Sequence, residues 1–352
     1  MKIKLFHDKE TPNIKSNFFQ KNIFELKKIS RTLIISGGSR NGNHLIWSLL
    51  DGNKNLPFLP GEDKLLSQIF WRNLKNSKKF LQDLKNNKSS FLRNLSGLKS
   101  DKWLRIYKNK INKKVWAGNK PVMPLLEFPK SKNVVNYPNY KNFLKKNFKN
   151  FENFTSIWNL YLKALIKLTD NKNKKLKYDY IYAESGLRRE LLFLAENKFN
   201  FICIVPIRRF ETFYFSKIKS LFNSTRITKK YIKEAWEQWY HKSYDYLQLK
   251  KKFPKNFLIV PYEDFADVKK RKKSIKKVCQ KLNIKFDKIN LLTTHYKKGI
   301  LPNSSFTQKV EIFEKNLSFE KKLSQNLKLK FPEEKYPKNY IKFYNEIKKN
   351  FY

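Results

Sequence analysis

The sequence predicts an α/β fold in which a central parallel sheet is flanked by helices. Near-continuous apolar runs recur along the chain, and each ends in polar, Gly or Pro residues. Segments with helical periodicity separate these runs, and a Gly/Ser/Asn-rich turn follows the first of them. The predicted strands are residues 32–36, 178–183, 199–205 and 256–260. Strands of this composition are typical of sheets that helices cover on both faces, where ligands bind at the carboxyl ends of the strands.

Length and composition indicate a folded, strongly basic protein. The 352 residues can bury a full core, as one large α/β domain or two smaller ones, and of these we expect one domain spanning residues 1–352. A hydrophobic fraction of 40% with 16% aromatic residues excludes a disordered chain. The net charge of +48 favours anionic ligands. The abundance of Lys, Asn, Ile and Phe is also what an AT-rich genome produces, so the charge alone identifies no partner.

Cysteine usage and hydropathy indicate a cytoplasmic protein. Cys203 and Cys279 lack metal-ligand spacing, and we expect free thiols in a reducing compartment. The first residues have no signal-peptide apolar core. Because no apolar stretch reaches the ~18 residues that a spanning helix needs, we also expect no transmembrane segment.

A long block between the first and second predicted strands has helical periodicity. In residues 64–175, Phe, Leu and Trp recur at spacings of three and four among lysines, apart from the proline-broken stretch 121–129. We therefore expect a helical insertion that caps the sheet.

The turn after the first predicted strand has the composition of a phosphate-binding loop. Gly37 and Gly42 have the G-x-x-x-x-G spacing of a nucleotide-binding P-loop, but Asn43 and His44 replace the Lys-Ser/Thr that should follow. The positive side chain lies inside the loop instead, at Arg40. The sequence thus predicts a phosphate site without the usual arrangement for magnesium-assisted cleavage of ATP or GTP.

With three later segments, this loop resembles the sulfotransferases that use 3′-phosphoadenylyl sulfate (PAPS). Residues 39–45 are similar to the family's 5′-phosphosulfate loop, in which Arg40 and Gly42 match while Asn41, Asn43 and His44 depart. Asparagine can still donate hydrogen bonds to phosphate. The resemblance implies that the loop binds the nucleotide through Gly38, Ser39, Arg40, Asn41, Gly42, Asn43 and His44.

The second matching segment is residues 204–216. In the family a strand ends in an Arg, a Ser follows eight residues later on the next helix, and both hold the 3′-phosphate. Arg208 and Ser216 have this spacing, and Arg209 is the alternative if the register shifts by one. A guanidinium at a strand end offers a two-pronged fork for an anion.

The remaining matches are Tyr262-Glu263-Asp264, which we interpret as a marker of the fold, and residues 302–306, a loop expected near the nucleotide. In all, the resemblance covers residues 32–63 and 178–306. It implies a P-loop-like sulfotransferase fold, PAPS as co-substrate and no metal.

The resemblance further implies transfer of the sulfuryl group to an acceptor hydroxyl or amine. Arg40 would neutralise the negative charge that develops on the leaving group, and a base near the acceptor would take up its proton. Glu62 is the candidate base, with His44 and Glu184 as rivals. The alternative for Glu62 is an acid of an exposed loop or of a helix cap, and Asp63 is itself a candidate helix N-cap.

The aromatic and lysine residues of the 64–175 block suit a saccharide acceptor in a glycan or glycolipid, and equally a packed helical cap. The oligomeric state is not readable from the sequence.

Two other classes of function stay open at this point. One is a P-loop kinase or NTPase, which would require magnesium. The other is a basic nucleic-acid-binding protein, whose affinity would fall steeply with salt. We expect no nucleic acid partner, because the basic run at residues 269–277 reads as the solvated face of a helix.

Overall fold

A four-stranded parallel sheet forms the centre of the structure. The computed structural model describes residues 31–50, 53–56, 116–117, 120–121, 143, 146–147, 177–178, 180–183, 185–196, 198–221, 229–291 and 340–351. Within these residues the strands are β1 (Thr32–Ile35), β2 (Trp116–Ala117), β3 (Lys120–Pro121), β4 (Tyr180–Ala183), β5 (Phe201–Ile207) and β6 (Phe257–Pro261). The sheet has the order β4-β1-β5-β6, while β2 and β3 form a separate antiparallel pair.

The described helices lie between and after these strands. They are α1 (Asn43–Leu50), α2 (Arg188–Glu196), α3 (Phe210–Leu221), α4 (Lys229–Lys252), α5 (Tyr262–Ala266), α6 (Val268–Leu282) and α7 (Tyr340–Phe351), with a 3₁₀ turn at Lys288–Leu291. The predicted α/β class with a parallel sheet and flanking helices is confirmed for this part of the chain. The four predicted strands are present, with boundaries that differ by one or two residues.

The register brings every carboxyl end of the sheet to one edge. Strand β1 pairs in parallel with both neighbours, so that Leu33 lies opposite Ile181 of β4 and Ile202 of β5. Strand β6 extends the sheet in parallel beyond β5. All residues of β1 and β6 are buried, as their β-branched and apolar composition requires. The segments that follow β1, β4, β5 and β6 are therefore neighbours in space.

Aromatic side chains form the core between the sheet and α4. Trp236 and Trp239 are buried, and the ring of Phe210 meets them at centroid distances of 4.9 Å and 5.8 Å. Phe343 of α7 packs edge-on against Trp239 at 5.6 Å. These contacts hold α3, α4 and α7 together behind the carboxyl end of β5.

The basic run at residues 269–277 lies on α6 and is mostly exposed, as predicted. Among its basic residues Arg271 is the buried one, and its guanidinium donates to the carbonyls of Phe265 (2.8 Å) and Ala266 (3.0 Å). This arginine closes the carboxyl end of α5, so it belongs to the core rather than to the solvated face.

Several sequence predictions fall outside the described residues. These are Glu62, Asp63, Glu184, the loop at 302–306 and most of the 64–175 block. Cys203 and Cys279 are free thiols, as predicted, and burial raises the pKa of Cys279 to about 12. None of the helices in the described ranges is long and apolar enough to cross a membrane.

Candidate functional site

The loop of residues 36–42, which follows β1, lies at the carboxyl edge of the sheet. It is fixed to both neighbouring strands. The N–H of Ser36 donates to the carbonyl of Ile204 in β5 (3.0 Å), and the N–H of Gly186, beyond β4, donates to the carbonyl of Gly37 (2.9 Å). The hydroxyl of Ser36 also accepts the N–H of Leu187 at 3.2 Å. The path of the loop is thus set by backbone groups of β5 and of the turn after β4.

Close packing explains why this loop needs its two spaced glycines. A Cβ atom on Gly37 would lie 2.4 Å from the carbonyl oxygen of Pro206. A Cβ atom on Gly42 would lie 2.1 Å from Cδ2 of Tyr262, and Gly42 has a φ of +98°, which L-residues rarely adopt. The G-x-x-x-x-G spacing therefore lets the loop approach β5 and α5 closely.

Arg40 stands at the turn of the loop in the left-handed conformation, with a φ of 69°. The N–H of Asn41 donates to the carbonyl of Gly38 at 3.1 Å and closes this turn. A non-glycine residue in this region of φ and ψ is uncommon, and such positions cluster at ligand-binding sites. Arg40 is also the one positively charged residue of the loop.

Unused donors make the loop suitable for an anion. The N–H groups of Gly38, Ser39 and Gly42 donate to no acceptor among the described residues. They lie immediately before Asn43, where α1 begins. The positive end of a helix dipole and backbone N–H groups together bind phosphate or sulfate groups.

The two loop asparagines fix the loop from inside. Both are buried, and Asn43 accepts the N–H of Gly37 at Oδ1 (2.7 Å) while its Nδ2 donates to Oγ of Ser185 (3.0 Å). Oδ1 of Asn41 accepts the N–H of Arg208 at 3.2 Å. The Asn43 amide is thus engaged within the protein, with Gly37 and Ser185. His44 lies in the first turn of α1.

Arg208 lies against this loop, as the convergence of strand ends predicts. Arg208 is buried, its NH1 group donates to the carbonyl of Arg40 at 3.3 Å, and its Cζ lies 3.8 Å from the ring centroid of Tyr262. The indole N–H of Trp239 donates to its carbonyl at 2.7 Å. Arg209 is exposed, and its N–H donates to Oε1 of Glu263. Of the two candidate arginines, Arg208 is the one at the loop.

The predicted partner of Arg208, Ser216, lies half-buried on α3. Thr212 precedes it by four residues and so lies on the same face of the helix. The hydroxyl of Thr212 donates to Oε1 of Glu263 at 2.7 Å. This helix face is thus directed toward the start of α5.

Glu263 has structural contacts, in keeping with its interpretation as a fold marker. Its carboxylate accepts the N–H of Arg209, the hydroxyl of Thr212 and the hydroxyl of Tyr344. It therefore joins β5, α3 and the C-terminal helix α7. Burial raises the pKa of Tyr344 well above its usual value, and the neighbouring charge of Glu263 raises it further.

One cation at the loop was missed by sequence reasoning. The Cδ atom of Lys242, on α4, lies 3.3 Å from the position of a Cβ on Gly38. Burial, together with the positive charges of Arg188 and Lys217, lowers the pKa of Lys242 to about 8. No local motif marks this residue, because its contact with the loop is tertiary. Among the described residues, no cluster of His, Cys, Asp and Glu could hold a metal ion.

Comparisons with known proteins found distant structural similarity. The chain is similar to a sulfotransferase domain from the curacin biosynthetic pathway, with 17% identity and a TM-score of 0.37 over 77% of this chain and 79% of that one. It is also similar to sulfotransferase STF1 from Mycobacterium tuberculosis H37Rv, with 12% identity and a TM-score of 0.34 over 78% of this chain and 73% of that one. No protein-family model and no curated protein matches the chain. Because both TM-scores and identities are low, we base no conclusion about function on these similarities.

Proposed function

We propose that the chain is a sulfotransferase that moves the sulfuryl group of PAPS to an acceptor hydroxyl or amine. One observation carries the proposal. Arg208, at the end of β5, is joined to the loop after β1 through its own N–H at Asn41 and its NH1 group at Arg40. Two elements with anion-binding chemistry, 168 positions apart in sequence, are thus adjacent at the edge where α/β sheets bind ligands.

The geometry supports a division of roles between the two elements. The N–H groups of Gly38, Ser39 and Gly42, with the side chain of Arg40, would surround the 5′-phosphosulfate. Arg208 would hold the 3′-phosphate, together with Ser216. The acceptor oxygen or nitrogen attacks sulfur as the bond from sulfur to the bridging phosphate oxygen breaks, and adenosine 3′,5′-bisphosphate leaves. Positioning and neutralisation of this leaving group are the main requirements for catalysis.

A base must accept the proton of the acceptor. Glu62 remains the candidate that the sequence predicts, with His44 and Glu184 as rivals. Glu62 and Glu184 lie outside the described residues, so mutagenesis has to decide which residue is the base.

The acceptor side is proposed on composition. We expect the acceptor to be a saccharide hydroxyl or amine of a glycan or glycolipid, and we expect the 64–175 block to cover it. We further expect that the enzyme is cytoplasmic and that residues 1–352 form a single domain. Aromatic faces and lysines are suited to stacking on sugar rings and to contacting their anionic substituents.

Calorimetric titration with adenosine 3′,5′-bisphosphate tests the proposal, with AMP and with ATP plus magnesium as controls. We expect micromolar affinity for the bisphosphate and much weaker binding of AMP, because only the bisphosphate has the 3′-phosphate. A preference for ATP with magnesium would overturn the proposal in favour of a kinase or NTPase. Binding of RNA but of no nucleotide would overturn it in favour of a nucleic-acid-binding protein, with a steep salt dependence.

A further inference from the structure

The loop after β1 lacks the lysine of a P-loop, but a lysine from another helix lies beside it. We propose that Lys242 of α4 is an anion-binding residue of this site and supplies the ammonium group that Asn43-His44 does not. The ligand class is a phosphate or phosphosulfate group held by the loop. The choice of PAPS as that ligand rests on the proposed function, whereas the anion contact of Lys242 does not.

Side-chain packing brings the aliphatic part of Lys242 to the loop. Its Cδ atom lies 3.3 Å from where a Cβ of Gly38 would be, so the side chain contacts the loop at this glycine. The Nζ atom is two bonds further on. Gly38 and Ser39 carry N–H groups with no acceptor among the described residues, and Lys242 therefore lies next to unused anion-binding donors.

Lys242 has no counterion among the described residues. Asp245, one turn further along α4, pairs with Arg188 at 2.5 Å. Lys217 of α3 donates to Oε1 of Gln238 at 2.7 Å. No ion pair or hydrogen bond joins Lys242 to another described residue. Its electrostatic neighbours are the like charges of Arg188 and Lys217.

A half-buried ammonium group beside like charges is unfavourable unless an anion accompanies it. This cost is reflected in the pKa of about 8 that burial and the two cations produce. A bound phosphate would supply the missing negative charge and use the N–H donors of Gly38 and Ser39 at the same time. P-loop lysines act in the same way, as point charges on phosphate oxygens.

Binding measurements on variants test the proposal, with adenosine 3′,5′-bisphosphate and inorganic pyrophosphate as probes. We expect Lys242→Met to weaken binding of both probes about tenfold or more, since it removes a charge-assisted contact. Lys242→Arg should restore most of the affinity. Lys251→Met is the matched control, because it removes the same charge from an exposed position of α4, and we expect affinities within about twofold of the wild type.

The pH dependence gives a second readout. A lysine with a pKa of about 8 loses its charge as the pH rises, so the affinity of the wild type for pyrophosphate should fall above that pH. Arg188, Lys217 and Asp245 also face this position, and burial lowers the pKa of Lys217. Comparison with Lys242→Met at each pH separates their contribution from that of Lys242, because the variant keeps all three. The ratio of wild-type to Lys242→Met affinities should therefore approach one at high pH, whereas the ratio of Lys242→Arg to Lys242→Met affinities should stay constant.

Each outcome decides between the two proposals. If Lys242→Met binds both probes as tightly as the wild type, the role of Lys242 is overturned while the proposed function stands. If the wild type does not prefer the bisphosphate to AMP, but Lys242→Met still weakens pyrophosphate binding, the proposed function is overturned while the anion contact stands. If Lys242→Met does not fold, Lys242→Arg decides, because a fall in affinity across pH 8 as steep as that of the wild type would overturn the role.

Discussion

Arg208 stacks its guanidinium on the ring of Tyr262, with 3.8 Å between Cζ and the ring centroid. The same ring lies directly against Gly42 of the loop. Tyr262 is the first residue of α5, immediately after β6, and is buried. The ring thus sets the position of the candidate arginine and of the candidate loop together, which makes it the structural link between the two parts of the site.

Replacing Gly42 by Ala should destabilise the protein by about 2 kcal/mol or more, because the new Cβ would lie 2.1 Å from the Tyr262 ring at a φ of +98°. Urea denaturation measures this cost. Gly186→Ala is the matched control, since Gly186 also has a positive φ, of +85°, but no atom within 4 Å of a new Cβ. A Gly42→Ala variant no less stable than Gly186→Ala would mean that the ring does not pack on the loop.

Arg208→Ala should weaken binding of adenosine 3′,5′-bisphosphate by roughly 2–4 kcal/mol, since it removes a charge-assisted pair with a phosphate. Arg209→Ala is the comparison, because Arg209 is exposed and next in sequence. We expect a much smaller loss for Arg209→Ala in calorimetric titrations. A larger loss of affinity for Arg209→Ala than for Arg208→Ala would assign the 3′-phosphate contact to Arg209. Thermal unfolding of both variants separates lost binding from lost folding.

The sheet was predictable because its signals are local. The apolar runs before Gly37 and before Arg208 mark buried strands by composition alone, and parallel pairing follows from the helices between them. The sequence does not predict which aromatic residues of α4 are in the core, because the mixture of lysines and aromatics in α4 is similar to that of the 64–175 block. Nothing local identifies Trp239 as the residue that holds the carbonyl of Arg208.

The candidate site residues that follow a motif spacing could be predicted from the sequence. The loop glycines and Arg208 were found from motif spacing, and the structure brings them together. The direction of a side chain is not readable from sequence, and only the structure shows that the amide of Asn43 turns toward Gly37 and Ser185. Lys242 was missed, because helix packing rather than sequence proximity places it at Gly38.

Asn43→Ala should destabilise the protein by about 1–3 kcal/mol, since it leaves the N–H of Gly37 without its acceptor. Asn43→Asp is the matched variant, because its carboxylate can still accept this N–H. We expect Asn43→Asp to recover much of the stability in chemical denaturation but to bind the bisphosphate more weakly, since it adds negative charge beside the loop. Equal stability of Asn43→Ala and the wild type would contradict the internal role of this side chain.

Glu190 should make stability depend on pH. It is buried in the first turn of α2, where burial raises the pKa of its carboxyl despite its own backbone hydrogen bond and the charges of Arg189 and Arg188. The folded protein therefore holds this proton more tightly than the unfolded chain. The resulting stabilisation is fully present below the unfolded pKa of about 4.3 and is lost as the pH rises through the folded pKa.

Glu190→Gln cannot ionise, so its stability relative to the wild type should increase as the pH rises from about 4 to 7. Urea midpoints across this range give the comparison. Glu196→Gln, at the exposed end of the same helix, controls for the loss of a carboxylate from α2, here one that pairs with Lys252 at 3.0 Å. Parallel profiles for the wild type and Glu190→Gln would mean that the carboxyl is not desolvated.

Glu62→Gln should lower sulfuryl transfer about 10²-fold or more, with little change in affinity for adenosine 3′,5′-bisphosphate, because a base acts on the acceptor and not on the nucleotide. Asp63→Asn is the matched control, since a helix-capping acid at this position would affect folding rather than turnover. Turnover and calorimetric affinity are measured on the same preparations. Unimpaired turnover of Glu62→Gln would move the role of base to Glu184 or His44, to be resolved by the corresponding Gln variants of each.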